Sequence, residues 1–141
     1  MHALLQPKRV RRESGAAALE FAVVLPILLM ILFGILEFGR IMMVCHMLTT
    51  TAREGVRQAS LPGADTASVM AVITNELSQA GLMYDSCELD PSDISTANRD
   101  DPVTVRVRIN YESIAWVPGF FPGLTGIQLE GVAVMRKEGF G

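Results

Sequence analysis

In "VRRESGAAALEFAVVLP", residues 10–26, small residues, a carboxylate and a basic cluster are spaced for one kind of chemistry. A protease at the cytoplasmic face of a membrane needs an accessible bond, and Ser14-Gly15-Ala16 places small residues just before a long apolar run. Hydrolysis after Gly15 would leave Ala16 as a new N-terminus, an ammonium with a reference pKa near 8. Glu20 would then stand fifth in the shortened chain, about one helical turn away. A carboxylate in hydrocarbon costs about 2.5–3.5 kcal/mol or more. An ammonium from its own or a neighbouring chain would offset much of that, and in a stack of similar helices the pair would fix axial register. The plainer reading is a Glu20 that snorkels to water at the membrane edge.

Other reactive groups are sparse. Cys45 and Cys87 are the only cysteines, so in an oxidising compartment one intrachain disulfide is open to them. His2 and His46 are the only histidines and neither has partners at metal-ligand spacing, so no metal site is expected. The acidic stretch Asp85–Asp101 lacks the Asp-x-Asx-x-Asx-Gly calcium pattern and reads as a solvated loop. No nucleophile–base set and no phosphate-binding glycine loop can be nominated, so there are no catalytic residues, no cofactor and no enzyme.

The elements that must position these residues follow from pattern. Phe21–Leu36 carries no charge, and the wider run Ala16–Phe38 spans roughly 35 Å as a helix, enough for a bilayer core of about 30 Å. Lys8, Arg9, Arg11 and Arg12 against Glu13 give residues 1–15 a net charge of +3 within an overall −3, which places the N-terminus in the cytoplasm. A cleaved secretory signal is a poor fit, because the run is too long and ends among bulky residues. Val44 before Cys45 argues against a lipoprotein. The modest overall charge gives no reason to expect a nucleic-acid partner.

Beyond the membrane, Ile41, Val44, Met47, Leu48, Ala52, Val56 and Ala59 recur at spacings of three and four, so one helix is expected from Ala16 to Ser60, ended by Pro62 and Gly63. Glu37 with Arg40, and Glu54 with Arg57, can pair at i,i+3 as solvated ion pairs. With Arg53 they form a candidate subunit-contact patch. A second helix is expected over Thr66–Gln79, with Asp65 as N-cap, Gly81 near its end, and Val69, Val72, Ile73, Leu77 and Ala80 as its apolar stripe. "VTVRVRINY", residues 103–111, alternates as a half-buried strand. "IQLEGVAVMRKE" puts Ile127, Leu129, Val132 and Val134 on one face only if Gly131 marks a bulge. "WVPGFFPGL" offers Trp116, Phe120 and Phe121 either to the core or to a partner or membrane surface. The expected architecture is α+β: a leader at 1–15, a membrane and stalk helix at 16–60, and a small extracytoplasmic head at 61–141 with one helix and an antiparallel sheet.

A basic leader, Gly15, four residues, Glu20 and an aromatic, then an apolar helix, resembles the processing site of type IV pilin-like proteins. "GAAALEFAVVLPILLMILFGILEFGR" followed by "TTTAREGVRQAS" resembles the TadE-like pseudopilins of the tight-adherence (Flp) pilus system, and "GVAVMRKE" is similar to that family's usual finish. The resemblance implies that Gly15 precedes the cut, Ala16 is the new N-terminus, Glu20 is the acid of the motif and Phe21 its aromatic neighbour. Major pilins often have Tyr where this chain has Phe21. It further implies a prepilin peptidase as processing enzyme, other pilins or pseudopilins and an inner-membrane assembly platform as partners, the lipid bilayer as surroundings, and a structural role. The competing expectation is an uncleaved single-pass anchor that displays a binding module.

Overall fold

The structure, a computed structural model, describes residues 10–116, 119 and 121–139. Two compact units divide between Phe38 and Gly39. Helix α1, Val10–Ser60, contributes to both. It is long and apolar enough to cross a membrane, and within the first unit Leu19, Phe21, Ile27 and Ile35 all face outward. The helix begins six residues before the expected start at Ala16 and runs on through Pro26. Gly15 is therefore inside it, because one glycine costs a helix only about 1 kcal/mol and the alanines that follow favour it.

The second unit has its own core, and α1 supplies one wall of it. Val44, Leu48, Ala52, Val56 and Ala59 are buried at helical spacing, so the last turns of the helix are built into the core of this unit. Where α1 ends, Gly63 takes φ +76° and the Ala64 amide donates to the Leu61 carbonyl at 3.2 Å, closing the turn. Asp65 Oδ1 then accepts from the Ser68 amide at 2.9 Å and caps helix α2, Thr66–Gln79. Gly81 at φ +68° lets the Leu82 amide reach back to the Leu77 carbonyl at 2.9 Å, a left-handed stop that a Cβ would resist. Val69, Ile73 and Leu77 are the buried stripe of α2, with Val72 half-buried, while Ala80, expected on that stripe, is exposed at the C-cap.

Three antiparallel strands complete the head in the order β1-β2-β3: Ser86–Asp90, Pro102–Asn110 and Gln128–Arg136. Val103, Val105, Val107 and Ile109 of β2 are fully buried, as alternation predicts. Tyr111 is also buried, but it opens a one-turn helix, α3 (Tyr111–Ile114), instead of ending the strand. β1 lies inside the stretch expected to be a loop. Its inward residues are Cys87 and Leu89 alone, and Ser86, Glu88 and Asp90 face the other way.

β3 overturns a second expectation. Its register against β2 runs unbroken from Pro102↔Arg136 to Asn110↔Gln128, with no bulge at Gly131. Leu129, Gly131 and Ala133 face inward, and Val132 and Val134 lie on the exposed face. The reason is distance. A Cβ on Gly131 would fall 2.3 Å from the carbonyl carbon and oxygen of Leu48, so the strand crosses α1 at backbone contact. Gly55 allows a second close approach to α1, this time by α2 and β2, where a Cβ would meet Ile73 Cγ1 at 2.9 Å and Val105 Cγ1 at 3.4 Å.

Past β3, Lys137 is buried. Its Nζ donates to the carbonyls of Ala59 at 3.1 Å and Ile94 at 3.3 Å, and the Glu138 amide donates to Ser60 at 2.8 Å. The last turn of a helix leaves carbonyls without partners, and a cation there also suits the helix dipole. Lys137 thus ties the end of the sheet to the end of α1.

Candidate functional site

Four groups at the start of α1 make the candidate processing site: Gly15, Ala16, Glu20 and Phe21. All are exposed, and nothing lies within 4 Å of where a Gly15 Cβ would be. Glu20 makes no hydrogen bond or ion pair with any described residue. Ala16 and Glu20 are four residues apart in one continuous helix, hence on one face and about 6 Å apart along the axis. Cutting after Gly15 would create a positive end at Ala16, with the helix N-terminus adding its own positive dipole one turn from the carboxylate. The bond itself lies in helical backbone, among the small residues Ser14-Gly15-Ala16.

The five residues of the expected contact patch are put to different uses. Glu37 is buried, so it is not part of a solvated pair. Arg40 is half-buried, donates through Nε to the Ile114 carbonyl, and sets its guanidinium 5.6 Å from the centre of the Trp116 ring. Glu54 and Arg57 pair with each other as expected, Nε donating at 3.0 and 3.2 Å to the two carboxylate oxygens. Arg53 is exposed. Arg53, Glu54 and Arg57 therefore remain the accessible charged face of the helix, and Arg40 belongs to the head.

Cys45 and Cys87 are free thiols, so the disulfide open to them in the sequence is not formed. Each packs half-buried against the hydrophobic core, Cys87 opposite Val107 on the inner sheet face. Burial, helped by the neighbouring Glu88 charge, pushes the Cys87 thiol above its usual pKa. Trp116 is exposed and Phe121 is half-buried, while Phe120 lies outside the described residues. Among the described residues no three His, Cys, Asp or Glu side chains are grouped to hold a metal ion.

Residues 15–57 match the family model described as TadE-like protein. Over those residues the chain is similar to TadE-like proteins. The match takes in just under a third of the chain: the candidate processing site, the apolar helix and the turns of α1 that enter the head core. No curated protein and no solved structure matches the chain. The TadE-like match supports a component related to the Tad pilus, and the fold adds the long apolar helix and the small α+β head.

A feature that the sequence reading missed lies outside the matched residues, on the exposed face of the sheet. Arg106 and Arg108 of β2 sit between Glu88 of β1 and Glu130 of β3: Arg108 bridges the two acids at 2.6 Å each, and Arg106 lies 3.3 Å from Glu88. The signal was present in "VRVR", whose two arginines fall on one face at strand spacing, but their partners come from strands 18–22 residues away. Hydrogen bonds from Arg108 and then Arg106 hold Glu88 below the usual carboxylate range, and the amide of Ser68 does the same for the capping Asp65. A carboxylate depressed in the folded state stabilises above its unfolded pKa and loses that contribution as pH falls through the folded value. The head should therefore weaken as acid takes it below about pH 4. Melting curves of the parent and Glu88→Gln from neutral to acid pH check this: the variant should start lower and fall less steeply.

Proposed function

We propose that the chain is a TadE-like pseudopilin, inserted in the cytoplasmic membrane with its N-terminus inside, cut after Gly15 by a prepilin peptidase, and then used to build or prime a tight-adherence pilus. The observation that carries this reading is the TadE-like match beginning at Gly15 itself and covering the whole apolar helix. In this reading the 1–15 leader supplies the basic anchor for insertion, Glu20 neutralises the new ammonium of its own chain or of a neighbour, and the exposed apolar face of α1 packs against other pilin helices. The chain acts by assembling rather than by catalysis, with an inner-membrane platform and other pilins as partners.

A second reading has its own support: α1 is continuous through Gly15, and a protease must unwind a helical bond before it can cut it. It makes the chain an uncleaved single-pass anchor for the head. Intact mass and N-terminal sequencing of the protein from its native membrane separate the two. A chain beginning at Ala16 is expected. A full-length chain in cells where the peptidase is active would reject the pseudopilin reading in favour of the anchor.

A further inference from the structure

The head carries an apolar corner beside Arg40 that the proposed function does not use. Met83 and Trp116 are 86% and 63% exposed, and Met43 on α1 is exposed as well. Between Met83 and Arg40 runs a shallow cavity of about 470 Å³, also lined by Leu82, Tyr84, Asp85 and Ile114. The Asp85 carboxylate is engaged there with the Asn110 amide at 2.6 Å. Arg40 donates through Nε to the Ile114 carbonyl, lies over the Trp116 ring and is itself one of the residues lining the cavity.

Position along the chain selects the occupant. Arg40 is the second residue after Phe38, the end of the apolar run Ala16–Phe38 read from the sequence. A ring stacked on Arg40 is therefore held at the level where the helix leaves the hydrocarbon. Tryptophan prefers that level because its apolar body and N–H donor match the headgroup region. Arginine there meets phosphate oxygens with several donors in fixed geometry. An exposed methionine and tryptophan gain by leaving water, in proportion to the apolar surface they bury.

We infer that this corner, Trp116 and Met83 with Arg40 behind them, seats the head on the bilayer surface, the ring among the headgroups and the guanidinium facing lipid phosphate. The seat would hold the head against the membrane until the chain is drawn into an assembly. The inference needs α1 to cross a bilayer but not cleavage after Gly15, so it stands or falls separately from the processing step.

Trp116 is the chain's only tryptophan and reports its own depth. The full chain is reconstituted in phosphatidylcholine–phosphatidylglycerol vesicles whose acyl chains carry bromine either near the headgroup or near the methyl end. Its fluorescence is then read with and without iodide on both sides. The expected result is blue-shifted emission that loses most of its intensity with shallow bromines, less with deep ones and little with iodide. Emission typical of a ring in water, quenched by iodide and indifferent to brominated lipid, would overturn the inference. So would a ring shielded from both quenchers, which would assign the corner to a protein contact.

Discussion

Gly131→Ala is expected to destabilise the head by about 3 kcal/mol, the upper end of what overpacking a core costs. The added methyl would sit 2.3 Å from the Leu48 carbonyl, and both groups are backbone: one in α1, the other in a strand hydrogen-bonded to β2. Neither can turn aside as a side chain would. Relief requires β3 to lift off the helix, which would draw Leu129 of β3 away from the core that it shares with Leu48 and Ala52 of α1. Gly55→Ala is the matched comparison, because its methyl meets the end of the Ile73 side chain, which can rotate, with Val105 Cγ1 at an ordinary 3.4 Å. Alanine's better helix propensity, worth about 1 kcal/mol, offsets much of the repacking. Urea unfolding of the full chain in detergent, followed by near-ultraviolet circular dichroism, should therefore show Gly131→Ala well below the parent and Gly55→Ala close to it. Equal stabilities for the two variants would mean that β3 does not cross α1 at residue 48.

The same glycine shows where sequence reading stopped. In β2 the buried side is the apolar side, so Val103, Val105, Val107 and Ile109 declare the strand and its face together. In β3 the relation is inverted: the inward side needs the smallest residues because a helix backbone lies against it, and Val132 and Val134 are left outside. Alternation alone then suggests a bulge that does not exist. β1 was hidden for a related reason. With only Cys87 and Leu89 turned inward, its polarity reads as loop until Arg106 and Arg108 are seen to neutralise Glu88 from the next strand. Local signals, by contrast, were sufficient for α2, whose Asp65 cap and left-handed Gly81 mark its ends within the helix's own sequence. The candidate site divides in the same way. Gly15, Ala16 and Glu20 are legible because their relation is four residues along one helix. The split of Arg40 from Glu54 and Arg57 was not, since Arg40's partners are 74 residues or more away.

Glu20→Ala is the second large effect expected, and it falls on assembly rather than on folding. Glu20 is exposed at the start of the apolar helix and bonds to no described residue, so its removal costs the isolated chain little. In a bundle of processed chains the balance changes. Each Ala16 ammonium would be drawn into an apolar environment, where an unpaired charge costs about 2.5–3.5 kcal/mol. That corresponds to roughly a 100-fold loss of incorporation per chain if the carboxylate is the partner. Glu20→Gln separates this from simple snorkelling: it keeps the size and a hydrogen-bonding head but not the charge, and should fail as badly as alanine. Glu20→Asp keeps the charge one methylene shorter and should recover part of the loss. The measurement is the ratio of processed chain in sheared fibres to processed chain left in the membrane, so that an effect on cutting is not mistaken for one on assembly. If Glu20→Gln assembles like the parent, charge pairing is not the role of Glu20. If all three variants are cut poorly, Glu20 acts on the peptidase instead, and the register argument falls with it.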